Sequence, residues 1–175
     1  MLEISPTGVH HFFHRYGNIG IFFLLALGIL GLPIPDETLI VITGFLLAQS
    51  HMPMIETMIA VYAGGMCGIT LSYILGLFVG KPVLLHYGKK IGITHEKFEK
   101  AHAWCERRGK WSLILGYYIP GVRHLIGVVA GTTDMSYRNF SLFAYTGVII
   151  WGSTFLSIGY FFFDQWKHLA TWVGL

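Results

Sequence analysis

Between Glu56 and Lys81 the chain runs for 24 residues without a charged side chain, and between Arg138 and Asp164 for 25. At 1.5 Å per residue a helix of either length is about 36 Å long, enough to cross a hydrocarbon core of about 30 Å with some tilt. Water offers such a segment little reason to stay exposed. The rest of the chain agrees: 54% of residues are hydrophobic and only 12% are charged, with a mean hydropathy of +0.59. A soluble domain carries about 25% charged residues. The sequence is therefore read as one all-α integral membrane domain covering residues 1–175. The two cysteines, Cys67 and Cys105, are too few for a disulfide framework and are read as unpaired. The N-terminus lacks the pattern of a cleaved signal peptide.

The remaining segments are shorter. Residues 1–16 place Val9, Phe12, Phe13 and Tyr16 on one side with His10, His11, His14 and Arg15 between them, as in an interfacial amphipathic helix. Residues 17–50 hold two apolar arms, Gly17–Leu32 and Thr38–Ser50. The second arm, as a helix, is only about 20 Å long. A full-length span is expected over 54–80. Residues 81–110 contain eight of the twelve Lys and Arg residues, which by the positive-inside rule makes this segment cytoplasmic. Thr94 is a candidate cap for a helix ending near Arg108, with Phe98, Ala101, Trp104 and Cys105 facing the membrane surface. Residues 111–131 again hold two short arms. A second span is expected over 138–163, and 164–175 form a short amphipathic tail.

The stretch between the first two arms reads GLPIPDETLI, residues 31–40. Pro33 and Pro35 break the helix, and Asp36 and Glu37 follow at once. A carboxylate at the bilayer centre costs at least about 2.5–3.5 kcal/mol, so these acids are expected to face protein or a wet cavity. Between the second pair of arms stand Pro120 and Gly121, followed by Arg123 and His124. The layout thus occurs twice: short arm, proline break with a charge after it, short arm, turn, long glycine-bearing span. Pro35 and Pro120 are 85 residues apart, Gly44 and Gly131 close the second arms, and Gly64–Gly76 and Gly147–Gly159 share a spacing of 12. With 81–110 between the halves, the first pair of arms opens outside and the second inside. The expected architecture is an inverted repeat of a re-entrant helical hairpin plus a long transmembrane helix, with interfacial amphipathic helices. Inverted repeats with broken helices meeting near the midplane are a transporter architecture, and non-helical backbone at that depth must be buried in protein or line a cavity. Pro33, Pro35, Gly44, Pro120, Gly121 and Gly131 shape the hairpins, and Glu37 and Arg123 are expected to meet between their tips, as a transport pair or as a static salt bridge.

Other chemistry is open to these residues. His95, Glu99, His102 and Glu106 form one stripe of a helix, a donor set zinc accepts, and the histidines of residues 10–14 invite the same idea; such a stripe is also the ordinary polar face of an interfacial helix. No metal and no cofactor are expected. A membrane-embedded lipid phosphatase needs a nucleophile with its base, and none of the familiar hydrolase motifs is present. A membrane-organising structural protein would suit the basic segment, which attracts anionic lipid at about 1 kcal/mol per charge, but leaves Asp36, Glu37 and Arg123 without a purpose.

Two segments carry a resemblance. Pro33-Ile34-Pro35-Asp36-Glu37 with Gly44 is one; GYYIPGVRHLIGVVAGTTDMSYRNF, residues 116–140, is the other, with Ile119-Pro120-Gly121-Val122-Arg123, Ala130-Gly131, Met135 and Phe140 matching. Trp151 and Gly159 also fit. Over residues 17–163 the chain resembles the DedA family, the SNARE-associated or VTT-domain superfamily. The resemblance implies a non-enzymatic membrane lipid transporter of the cell membrane, a flippase or scramblase, with Glu37 in the family's acidic position and Arg123 in its second arginine position. It implies membrane lipids as partners, with protons or sodium as coupling ions; a homo-oligomer is compatible and nucleic acid is not expected. Substrates associated with the family include phospholipids such as phosphatidylethanolamine and the polyprenyl-phosphate carrier of wall synthesis. The chain departs from the pattern at Tyr117, where the family usually has arginine, at Ile69 in place of an aspartate, at Leu77 in place of an arginine, and in lacking an acid from Gly17 to Leu32. Fewer charges favour a zwitterionic phospholipid over a polyprenyl phosphate. In the expected site Arg123 holds the head-group phosphate, Asp36 and Glu37 neutralise it between cycles, Tyr117 donates a neutral hydrogen bond, and His124 is a polar tip residue or proton acceptor.

Overall fold

The computed structural model describes residues 6–29, 36–50, 52–87, 95–119, 122–133 and 135–173. Their regular structure is entirely helical. The elements are α1 (Pro6–Ile29), α2 (Asp36–Ala48), α3 (Met54–Tyr87), α4 (His95–Arg108), α5 (Ser112–Leu115), α6 (Arg123–Gly131) and α7 (Tyr137–Val173). Short 3-10 turns, Gly109–Trp111 and Gly116–Tyr118, flank α5.

Among the described residues two helices are long and apolar enough to cross a membrane, over Met54–Phe78 and Tyr137–Phe162, and less than half of each stretch is buried. Ile55, Ile59, Phe78, Leu142, Phe161 and Phe162 stand exposed on them, an outward apolar surface far larger than a soluble monomer carries. By contrast α2 and α6, with 13 and 9 residues, are only about 20 and 14 Å long.

Boundaries differ from the sequence reading in three places. Residues 6–16 are not a separate helix: α1 continues through Gly17 to Ile29, because one glycine costs a helix only about 1 kcal/mol. Likewise α7 runs on past Phe163 into the expected tail. Helix α4 matches the expected span, but Phe98, Ala101 and Cys105 are buried against protein rather than turned to the membrane surface, with α6 and α5 as neighbours. Burial pushes the Cys105 thiol pKa up, partly offset by a hydrogen bond with Ser112. Gly109, at φ 55°, adopts the left-handed conformation that ends the helix and turns the chain towards α5.

Consecutive arms barely touch each other. Helix α1 lies on α3, but α2 lies on α7; α5 lies on α7, but α6 lies on α3. Glycine sets each contact. A methyl group on Gly44 would strike the Leu156 carbonyl, and one on Gly159 the Val41 carbonyl. A methyl group on Gly131 would strike the Tyr73 carbonyl, and one on Gly76 the Val128 carbonyl. These are one contact made twice: Val41 and Val128, like Gly44 and Gly131, are 87 residues apart, while Tyr73 and Leu156, like Gly76 and Gly159, are 83 apart. The first arms follow suit. Gly64 packs on Phe22 and Leu25, and Gly147 on Ile114 and Tyr117, each pair of partners 92 residues apart. Backbone-to-backbone packing at small residues is the usual cement between helices in lipid.

Candidate functional site

Helix α2 begins with Asp36 and Glu37, and α6 begins with Arg123. Acids suit the positive end of a helix dipole; an arginine there does not, each effect being worth about 0.3–1 kcal/mol. Arg123 is nevertheless 95% buried. The carboxylates answer for it. Its Nη1 donates to Glu37 Oε1, and its Nη2 lies 3.5 Å from Asp36 Oδ2. Asp36 is fully buried, whereas the Glu37 side chain is 37% exposed. The site therefore has a sealed carboxylate, a sealed guanidinium, and one carboxylate reaching outward.

Aromatic rings complete it. The Arg123 guanidinium stands 5.3 Å from the centroid of the Trp151 ring, a cation–π arrangement. Tyr117 lies 5.8 Å from Trp151, and Phe155 packs edge-on at 5.7 Å. Tyr117 and Trp151 are among the largest fully buried side chains. Yet among the described residues the Tyr117 hydroxyl, the Trp151 Nε1 and both Asp36 oxygens have no hydrogen-bond partner. Each buried polar group left so costs about 1–3 kcal/mol. All four belong to residues grouped around Arg123.

Asp36, Glu37, Tyr117 and Arg123 are thus brought together. The side chain of His124, and Pro33, Pro35, Pro120 and Gly121, lie outside the described residues. Sequence reasoning left two residues out of the site. Gly28 lies directly against Asp36, where a methyl group would strike Oδ1. Trp151 enters the sequence reading only as a matching position, whereas in the fold it is a buried ring whose N–H needs a partner. Among the described residues no three His, Cys, Asp or Glu side chains converge as a metal site; His102 instead lies 3.7 Å from Glu106 on the surface of α4.

Two hydrogen-bonded bridges join α3 and α7. Tyr62 and Ser153 are paired at 2.8 Å, and Thr70 and Tyr145 at 2.9 Å. A groove of about 420 Å³ between α2, α3 and α7 is lined by Met58, Tyr62, Ser153 and Tyr160, and the Tyr62 ring lies 3.2 Å from where a methyl on Gly152 would sit, next to Trp151.

Residues 34–161 match the family described as the VTT domain. An uncharacterized membrane protein YbfM of Bacillus subtilis is 35% identical over 144 residues, 82% of this chain and 89% of the relative. Undecaprenyl phosphate transporter A of the same organism is 26% identical, covering 86% of this chain and 76% of the relative. An alkaline phosphatase-like protein of Lactococcus lactis is 28% identical, covering 90% and 76%. No solved structure matches.

Proposed function

Because the chain belongs to the VTT-domain (DedA) family, we propose that it moves a phospholipid across the bacterial cell membrane, the head group passing through the Asp36–Glu37–Arg123–Tyr117 site while the acyl chains stay in the bilayer. The observation that carries this reading is a buried guanidinium held by two carboxylates where two short helices begin. Ionisable groups inside a membrane domain mark substrate or ion pathways by default.

The reading includes an inverted repeat of re-entrant hairpins. The doubled contacts at Gly44, Gly131, Gly76 and Gly159 support it, as does the shortness of α2 and α6 against a core of about 30 Å. So does the basic segment 81–110, which we take as cytoplasmic. Arg123 offers a planar fork of donors to a phosphate. Glu37, the exposed carboxylate, is the group to take a proton or bind a sodium ion when lipid displaces it, which would couple transport to that ion. His124 follows Arg123 and serves the same head group. The two long helices rock against each other to open the site to alternate sides.

A second reading has a specific basis. Undecaprenyl phosphate transporter A covers most of this chain, so a polyprenyl phosphate is the alternative cargo. We read the protein as a transporter and not an enzyme, the names of the phosphatase-like relatives notwithstanding. Reconstitution into vesicles tests all of this. Movement of a fluorescent phospholipid without phosphate release supports the reading; phosphate release from a lipid phosphate, or no lipid movement at all, defeats it.

A further inference from the structure

We propose that Trp151 and Tyr117 are head-group-binding residues, and that with Arg123 they select a singly charged phosphodiester lipid over a doubly charged phosphomonoester. The inference rests on the lipid-transport reading and deepens it. Indole nitrogen is a donor only, and a phenol donates as well as accepts. Both are buried beside Arg123 with no acceptor among the described residues. The neighbouring Asp36 oxygens do not take up either donor; they too lack a hydrogen-bond partner there. A phosphate entering beside Arg123 brings oxygens that accept from all three side chains.

Charge decides which phosphate. The described site holds one guanidinium and two carboxylates. A phosphodiester carries one negative charge, which Arg123 balances once both carboxylates have taken up protons. A phosphomonoester carries about −1.5 to −2 at pH 7 and would need a second cation. Tyr117 and Trp151 add hydrogen bonds without adding charge, so they strengthen binding of the monoanion and leave the excess charge of the dianion unmatched. Their rings are fixed in the meantime: Arg123, Tyr117 and Phe155 all pack on Trp151. Replacing Trp151 by Phe keeps an aromatic ring for these contacts and removes the N–H together with part of the indole's volume.

The test is transport by the full-length protein in proteoliposomes carrying fluorescent phosphatidylethanolamine or phosphatidic acid, head groups that are a phosphodiester and a phosphomonoester. The wild type should move the diester faster. Trp151→Phe and Tyr117→Phe should each slow the diester about tenfold, the order of one lost hydrogen bond to a charged group, with elution unchanged in both and melting unchanged in Tyr117→Phe. Tyr117→Arg should raise phosphatidic acid transport relative to the diester. Tyr117→Phe removes a single oxygen atom, so the inference stays testable if Trp151→Phe does not fold. Lipid movement by the wild type with both Phe variants at the wild-type rate, or faster movement of phosphatidic acid, overturns the inference and leaves the transport reading standing. A wild type that moves neither lipid overturns both.

Discussion

Arg123 Nη2 lies 3.5 Å from Asp36 Oδ2, and each of these residues is the first of its helix. They are 87 residues apart, the same interval that separates Gly44 from Gly131. Opposite charges therefore occupy corresponding positions and meet. Removing one partner strands the other. Arg123→Ala leaves Asp36 buried without its cation and should cost about 3–5 kcal/mol, seen as a large fall in melting temperature. Arg123→Lys keeps the charge but not the fork; it should melt close to the wild type and yet transport at least about tenfold more slowly. Arg123→Lys at the wild-type rate would make the pair a static salt bridge.

The glycine contacts predict a matched set of stabilities. Gly44→Ala and Gly131→Ala each drive a methyl group into a backbone carbonyl of another helix, and backbone has nowhere to move cheaply. Each should destabilise by about 1–3 kcal/mol, to a similar degree. Gly20→Ala is the control: its methyl group would meet nothing within 4 Å, and inside α1 the change should be neutral or stabilising by up to about 1 kcal/mol. Thermal unfolding in detergent measures all three. A drop at Gly20 as large as at Gly44 would show that the loss does not come from these backbone contacts, since Ala is the better helix former at all three positions.

Much of this was legible in the sequence because lipid imposes simple rules. Charge-free length marked α3 and α7, and prolines followed by charges marked the starts of α2 and α6. Glycine spacing marked the interfaces, since close approach needs a missing side chain. It did not mark the partners: a glycine on α3 accepts an arm of either half, and only the fold shows that α2 crosses to α7 while α6 crosses to α3. The apolar face of α4 was assigned to the membrane surface because amphipathicity is the same whether lipid or protein covers it. Gly28 and Trp151 escaped for a related reason. Nothing in their local pattern separates a residue pressed against Asp36 or Arg123 from ordinary packing.

Orientation has a direct test. Lys100 is 70% exposed on α4, paired only at the surface with Glu96, a contact worth at most about 1 kcal/mol. Lys100→Cys should therefore fold normally. Native Cys105 is buried and its thiol is pushed up by burial, so it contributes little background; Cys67 is replaced by Ala. In intact cells an impermeant thiol reagent should leave Cys at position 100 unlabelled, and label it once the membrane is opened. Labelling from outside would reverse the assignment of 81–110.

The two bridges between α3 and α7 give the last prediction, which follows from the proposed rocking motion. Met66 is the centre of the apolar stretch Met54–Phe78. Tyr62 and Thr70 lie four residues to either side of it, about 6 Å along the axis. Their partners on α7 are Ser153 and Tyr145. Tyr62 and Tyr145 are 83 residues apart, as are Thr70 and Ser153, so each bridge is the counterpart of the other, one on each side of the midplane. Both are closed here. With 81–110 inside, opening outwards must break Tyr62–Ser153 and opening inwards must break Thr70–Tyr145. Each bridge is one hydrogen bond, about 1 kcal/mol, and its loss shifts a two-state population roughly fivefold; Tyr145 also meets Tyr137 within α7 at 2.8 Å, a second bond that Tyr145→Phe removes and that belongs to neither bridge. Tyr62→Phe should then favour the outward-open state and Tyr145→Phe the inward-open state. Spin labels on Met58 and Ser157 report the outer end, and on Ile74 and Leu142 the inner end. Tyr62→Phe should lengthen only the outer distance and Tyr145→Phe only the inner one. If both variants lengthen the same end, or neither moves either, the bridges are not the two gates of an alternating cycle.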